Sequence, residues 1–525
     1  MSSSTLDRLP FLHGAPRRTI AAVKRVLRPL SVTAGTVLFR TGDPGETCFL
    51  VERGTLRVLS APDGDLLATL GPGSFVGELA VLLGETRSAT VIADTDADLL
   101  ELSRTDLDSL MADHPALALG ISRALGRRIV ATNERFVGSR AARRAIVWPP
   151  RQVAAMAHAI ATGGGRVAVG AVGGATLSGT HEFTRVKAPD YGSDDASLDV
   201  VLIGVGEQGS ARSEAVVAGA DHVLCFAAPP PWLVGAVPRG RIVRLPADAA
   251  GLRRGVRWAT GRAVGLALSS GGSKTAAHLG VIAALRAGDV EIDAVAGASG
   301  GAVAAVTVAF DKDESQQRRY LDDIARATHW RRLDVNFPPR SGVWKGQRLR
   351  DMFARWDVGP NLEDAAIPVW LVGSDVATGA TVTLQEGSVA DAIRASMSIP
   401  GALDPWRVGD RVLIDGAVAN PLPTDVLRDA GVGVVIASNV AGQSTEFEVN
   451  GKLPGLNQIM SRVLNTMERE RIRALLPLAD VVIRPRVTAS NSFDFSNNET
   501  FIEAGATAAR ARLDDIRTLL DADSQ

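Results

Sequence analysis

The chain has 525 residues, too many for one hydrophobic core, and this length sets an expectation of roughly three domains. Hydrophobic residues make up 46% and charged residues 22%, the proportions of an ordinary globular protein. A formal net charge of -1 excludes an overall field that would draw the protein to nucleic acid or membrane.

Two cysteines, Cys48 and Cys225, are far apart and read as buried thiols of a reducing compartment. The start, Met1 to Arg8, lacks the basic stretch and apolar run of a secretory signal. No run approaches the ~18 apolar residues of a spanning helix. The expectation is a cytoplasmic protein, with peripheral contact at the inner membrane face left open.

From Leu30 to Ser103 short apolar runs such as Cys48–Val51 and Leu56–Leu59 alternate with turn signals at Thr41–Gly45, Ala61–Gly64 and Gly71–Gly73. This spacing predicts a small antiparallel β-barrel. Leu110, Met111, Leu117, Ile121, Leu125 and Ile129 predict one or two amphipathic helices over Leu107–Val137, and the basic Arg140–Trp148 reads as a linker. Next, Gln152–Ala161 reads as a helix, and Arg166–Ala171, Asp199–Val205 and His222–Ala227 as buried parallel strands. Gly173–Thr180 and Asp190–Asp195 read as loops.

From Ala263 the alternation sharpens. Strand Val264–Leu268, helix Thr275–Ala287 and strand Ala294–Ala296 are followed by strands Val369–Val372, Val412–Ile414, Val434–Ser438 and Val481–Ile483. The pattern predicts a doubly wound α/β sheet. The chain thus divides into a barrel with following helices at 1–140, a linker and α/β spacer at 141–262, and an α/β domain at 263–525.

Gly297-Ala298-Ser299-Gly300-Gly301 fits Gly-x-Ser-x-Gly. A Gly-rich turn with a Ser N-cap would look the same. Its setting, between the apolar Asp293–Ala296 and the small-residue run Ala302–Ala309, is that of a nucleophile elbow. The base candidate is Asp415, at the end of a buried strand and before Gly416, although strand-Asp-Gly also initiates turns. His222, His278 and His329 lack a strand-end setting for a triad. A Ser299–Asp415 dyad would need the carboxylate in an apolar pocket that raises its basicity. Leu268–Gly280 is a Gly-rich loop between strand and helix, and the backbone of Gly271, Gly272, Ser273 and Lys274 is its oxyanion-hole candidate. Phosphate-loop spacing is absent, and a dinucleotide Gly-x-Gly-x-x-Gly is incomplete.

Together these segments, over about Val264–Leu513, resemble the patatin-like phospholipase family, particularly its bacterial and neuropathy-target-esterase branch. Ala395–Gly401 ahead of Asp415–Pro423, and Ala479–Pro485 with Phe501–Gly505, fit the same pattern. The resemblance implies acyl-ester hydrolysis of phospholipid or lysophospholipid, with Ser299 as nucleophile, Asp415 as base, and no metal or cofactor in catalysis. Ser270 and Thr275 stand where the family has glycine. If those positions require φ > 0 the hole is strained, and restoring glycine leaves activity equal or higher.

Phe75–Val91 resembles the phosphate-binding cassette of cyclic nucleotide-binding domains, over roughly Leu6–Val137. Arg87 would supply a cation and the turn Gly77–Glu78–Leu79 backbone donors for a cyclic phosphate. Glu78 would accept from the ribose 2′-OH, and Ser88 matches bacterial cAMP receptors. The implied regulatory ligand is cAMP or cGMP; a plain barrel with a surface Glu and Arg is the alternative. The middle region, including Val201–Gln208, resembles the spacer between these domains in neuropathy-target-esterase-like proteins.

The reading is a cyclic-nucleotide-regulated lipid esterase. Nucleic acid is not an expected partner, because no helix-turn-helix follows the barrel. Pro229–Val237 and Pro400–Trp406 are candidate bilayer contacts. The alternative is a cyclic nucleotide sensor whose patatin-like domain is inactive and serves as an interaction module, with Ser270 and Thr275 as its support.

Overall fold

A computed structural model of the chain describes residues 17–59, 66–72, 74–77, 80–81, 86–87, 89–113, 142–180, 182–186, 198–237, 239–328, 334–337, 341–441, 456–487 and 494–522. It divides into two compact units, Met1–Ser139 and Arg140–Gln525.

The first unit begins with helix α1 (Arg17–Val26), followed by strands β1 (Arg28–Val32), β2 (Val37–Phe39), β3 (Thr47–Arg53), β4 (Leu56–Leu59), β5 (Leu66–Leu70), β6 (Phe75–Val76), β7 (Thr90–Ala93) and β8 (Ala97–Ser103). They form two four-stranded antiparallel sheets, ordered β1-β8-β3-β6 and β2-β7-β4-β5, as the turn spacing predicted. Alternate apolar residues turn inward, so Phe39, Phe49, Val51, Leu56, Val91 and Leu99 fill the space between them. Helix α2 (Arg104–Asp113) covers one end with Leu107 and Leu110 against Cys48 and Leu100. The remainder of the helical segment predicted over Leu107–Val137 lies outside the described residues.

The second unit holds two sheets. The first is parallel, ordered β11-β10-β12-β9-β13-β14, from β9 (Arg143–Trp148), β10 (Val167–Val172), β11 (Thr184–Arg185), β12 (Val200–Val205), β13 (His222–Cys225) and β14 (Ile242–Arg244). Helices α3 (Gln152–Thr162) and α4 (Ala249–Thr260) pack on it. The segment predicted as a linker, Arg140–Trp148, is therefore corrected. Its Ala145-Ile-Val-Trp148 end is a buried inner strand, and the two arginines that suggested a linker stand at its entrance.

The second sheet of this unit is mixed, ordered β21-β22-β18-β16-β15-β23-β24, with β19 added on β18. Its strands are β15 (Val264–Leu268), β16 (Ala294–Ala298), β18 (Val369–Asp375), β19 (Thr381–Leu384), β21 (Trp406–Val408), β22 (Arg411–Asp415), β23 (Val434–Ser438) and β24 (Val481–Ile483). A small ladder pairs β17 (Gly342–Trp344) with β20 (Gly401–Leu403). Helices α5 (Thr275–Ala287) and α6 (Gly300–Ala309) follow β15 and β16, α7 (Val389–Ser396) precedes β20, and α8 (Leu456–Leu475) lies between β23 and β24. β15 and β16 are buried along their whole length, as inner parallel strands covered on both faces must be.

The sequence reading separated 141–262 from 263–525. In the structure one apolar cluster runs through both, joining Val147, Met156 and Trp258 to Ala267, Ala296, Trp370, Leu422 and Ile472. The middle segment is a wall of the same core.

Candidate active site

The nucleophile elbow is set by crowding. A β-carbon on Gly297 would lie 2.3 Å from the Gly301 carbonyl oxygen, and one on Gly301 would lie 2.2 Å from that of Leu268. Only glycines let β16 turn into α6 this tightly. Between them Ser299 takes φ 53° and ψ -120°, a sparsely populated conformation costing of order 1–3 kcal/mol, which the surrounding packing imposes. The Ser299 N–H donates to Ser396 Oγ at 2.9 Å, and Ser396 Oγ donates to the Val372 carbonyl at 2.6 Å.

Register brings the carboxylate alongside. Ala298 pairs with Val372 and Asp415 pairs with Gly373, one step further along β18, so Ser299 and Asp415 flank the same strand end. Ser299 Oγ donates to Asp415 Oδ2 at 2.7 Å, and the Ala417 N–H donates to Oδ1 at 2.9 Å. The Asp415 N–H donates to the Ser398 carbonyl and its carbonyl accepts from Ser374 Oγ. Burial pushes the Asp415 carboxyl up to about 7, and the nearby Glu468 charge adds to this; the bonds from Ala417 and Ser299 oppose it. The pair can therefore pass a proton from hydroxyl to carboxylate near neutral pH. Arg394, fully buried, fixes the segment that carries these partners by donating to Ser398 Oγ and to the carbonyls of Lys345, Gly346 and Asp404.

The loop after β15 is tied down at both ends. Ser269 N–H donates to the Ser438 carbonyl, Ser270 N–H to that of Pro421, and Lys274 N–H to that of Gly271. Among the described residues no acceptor takes the N–H of Gly271 or Gly272. Gly272 N lies 3.2 Å from where a β-carbon on Gly300 would stand, so it borders the nucleophile. His278 lies beneath the loop. One ring nitrogen is 2.8 Å from Ser438 Oγ and the other 2.8 Å from the Ser269 carbonyl, which can only accept, so Nε2 carries the proton. Burial lowers this imidazole to about 4, and with both nitrogens engaged it is a neutral prop. His222 is buried edge-on to Trp258, and His329 lies outside the described residues.

The expected strain at Ser270 and Thr275 is absent. Among the described non-glycine residues only Asp289, Ser299 and Asp311 have positive φ. Thr275 sits at φ -50°, starting α5, and its Oγ1 donates to the Gly272 carbonyl at 2.6 Å. That hydroxyl occupies the space beside Gly300 that a β-carbon there would need. Ser270 Oγ donates to the carboxylate of Glu468 on α8. Burial raises Glu468 and lowers Lys274, and their mutual attraction opposes both shifts.

Sequence reasoning missed Glu468, Ser374, Ser396 and Ser398. The last two lie inside the Ala395–Gly401 motif, where their spacing was visible but their roles were not. Glu468 stands in the alternating charges Glu468-Arg-Glu-Arg471, where nothing in the local sequence sets it apart from its exposed neighbours.

In the first unit Arg87 and Gly77 are brought together. Arg87 is 4% exposed and lies 4.1 Å over the Phe39 ring. Its Nη1 donates to the Gly77 carbonyl at 3.0 Å and its Nη2 to that of Thr47 at 2.6 Å. The guanidinium expected to meet a phosphate thus also fastens the cassette to β3. Glu78, Leu79 and Ser88 lie outside the described residues.

Residues 266–428 match the family model described as patatin-like phospholipase, and residues 29–114 that of the cyclic nucleotide-binding domain. Fold and matches together define a lipid hydrolase with a cyclic nucleotide-binding fold at its N-terminal end. The chain thus carries a patatin-like phospholipase domain and an N-terminal cyclic nucleotide-binding domain, and over nearly its whole length it is similar to NTE family proteins. It is 27% identical over 570 residues to an uncharacterized NTE family protein of Mycobacterium tuberculosis, covering 97% of this chain and 96% of that protein. It is 24% identical to the patatin-like phospholipase domain-containing protein 7 of Mus musculus, covering 83% of this chain and 40% of that protein. Among solved structures, the Thermus thermophilus catabolite activator protein is 26% identical over 30% of this chain and 72% of that chain, with a TM-score of 0.24.

Proposed function

We propose that the protein hydrolyses acyl ester bonds of phospholipid or lysophospholipid at Ser299, with Asp415 as its base. Ser299 Oγ attacks the acyl carbonyl carbon while its proton passes to Asp415 Oδ2. The oxyanion is met by the N–H groups of Gly271 and Gly272, with the rest of the Gly271–Lys274 loop as their frame. Collapse breaks the ester C–O bond, and the leaving alcohol takes the proton from Asp415. Water, deprotonated by Asp415, then releases the fatty acid and restores Ser299. The observation that carries this reading is the 2.7 Å Ser299–Asp415 hydrogen bond to a carboxyl raised to about 7.

The unstrained loop removes the support for an inactive interaction module. Cyclic nucleotide, cAMP or cGMP, is the proposed regulator, bound at Gly77–Ser88. The proposed setting is the cytoplasmic face of a membrane; no described helix is long and apolar enough to cross one. A panel of phospholipids and lysophospholipids assayed with and without cAMP tests the reading. Fatty acid should be released by wild type and not by Ser299→Ala, at a rate that changes with cAMP. Equal release by Ser299→Ala would reject the nucleophile, and a rate indifferent to cAMP and cGMP would reject the regulation.

A further inference from the structure

Helix α8 has two unlike faces. Inward, Glu468 accepts from Ser270 on the oxyanion loop, and Ile472 is buried in the shared core. Outward, Ile459, Val463 and Met467 recur every four residues and so form one stripe. They are 46%, 47% and 49% exposed, a contiguous apolar surface of the kind that marks an interaction site. At about 100° per residue, Arg462, Arg469 and Arg473 border one side of this stripe and Arg471 the other, and all four are exposed. Glu470, seven residues after Val463 and so in line with the stripe at its C-terminal end, is the one outward acid of the helix, and it pairs with Arg473 at 2.7 Å.

An apolar stripe edged by arginines is the pattern of a helix lying in a lipid–water interface. The segments predicted to meet a bilayer are less suited to it, since Leu233 and Val237 of Pro229–Val237 and Leu403 of Pro400–Trp406 are buried. We propose that α8 docks on an anionic lipid bilayer, with the stripe in the acyl boundary and the arginines at headgroup phosphates. The charge fits that occupant: four arginines against one outward carboxylate, on a chain whose net charge is only -1. Position fits it too, because Met467 on the stripe adjoins Glu468, which holds the loop beside Ser299. The proposal rests on the lipid-hydrolase reading and deepens it by naming the surface from which substrate is drawn.

The test is co-sedimentation of the full chain with phosphatidylglycerol/phosphatidylcholine vesicles and with pure phosphatidylcholine vesicles, beside hydrolysis of a water-soluble short-chain ester. Wild type should bind the anionic vesicles at least tenfold more tightly, and less so in high salt. Ile459→Glu/Val463→Glu should lose at least tenfold of that binding. Arg471→Glu/Arg473→Glu, which alters only exposed residues, should lose a similar factor and covers the case in which the first variant fails to fold. No binding by wild type, equal binding to phosphatidylcholine, or wild-type binding by the arginine variant would overturn the proposal. So would a concentration-dependent dimer, broken by the first variant, from a chain that ignores vesicles; that result assigns the stripe to a second copy. Ester hydrolysis without vesicle binding sinks the docking alone, whereas binding without ester hydrolysis sinks the hydrolase reading.

Discussion

Ser270 on the oxyanion loop and Glu468 on α8 are joined by a hydrogen bond spanning 198 residues of sequence. The serine replaces a glycine of the family pattern, and its hydroxyl satisfies a carboxylate that is itself largely buried. Removing one partner leaves the other short of a bond, at a cost of roughly 1–3 kcal/mol. Ser270→Gly is therefore expected to lower ester hydrolysis about tenfold and to lower the melting temperature. This reverses the expectation from sequence that glycine is neutral or better there. Steady-state rates at or above wild type in Ser270→Gly would show that the contact with α8 has no bearing on the loop.

Titration of Asp415 sets the expected pH dependence. Only the ionised carboxylate can accept the Ser299 proton, so kcat/KM should rise with pH through an apparent pKa of about 7. Because the Glu468 charge contributes to that elevation, Glu468→Gln should move the rising limb to lower pH. A pH–rate profile that is flat from 5 to 9 (a range of roughly two units either side of the Asp415 value) would contradict Asp415 as base.

The same carboxyl weakens the fold where it ionises. Its folded-state value is raised from 3.8 to about 7, so its ionised form is disfavoured by folding. Stability is then fully present below the unfolded value and is lost as pH rises through about 7. Asp415→Asn removes that loss and can keep both side-chain hydrogen bonds. It should melt higher than wild type at pH 8, by on the order of 2–4 kcal/mol of stability, and no higher at pH 4, while being inactive. Calorimetric scans of both proteins at the two pH values check this.

Arg87 fastens the Gly77 and Thr47 carbonyls and is the proposed partner of the cyclic phosphate. Arg87→Ala is expected to weaken cAMP binding at least tenfold and also to lower the melting temperature of the ligand-free protein. Wild type should bind in the micromolar range, about -8 kcal/mol, by titration calorimetry. A ligand-free melting temperature unchanged by Arg87→Ala would show that the carbonyl bonds carry little of the barrel's stability.

Local signals were legible in the sequence, and contacts made by tertiary approach were not. The elbow at Ser299, the strand-end Asp415 and the Gly271–Gly272 loop each carry a strand-turn signature in a few consecutive residues. β9 was missed because Arg143 and Arg144 precede only four apolar residues, and its neighbours β12 and β13 are needed to reveal a strand. Short edge strands such as β11 exist only by pairing. Glu468 could have been found only from its inward helical company, with Leu464 half-buried one turn before it and Ile472 buried one turn after. Its charged neighbours hide that periodicity.

The most direct measurement of the central claim is covalent labelling with a fluorophosphonate, mapped by mass spectrometry. Wild type should carry one adduct on the peptide containing Ser299. Labelling should vanish in Ser299→Ala and slow by ~10³-fold in Asp415→Asn, since the two residues act as a unit. An adduct on another serine, or wild-type labelling rates in Asp415→Asn, would contradict the dyad.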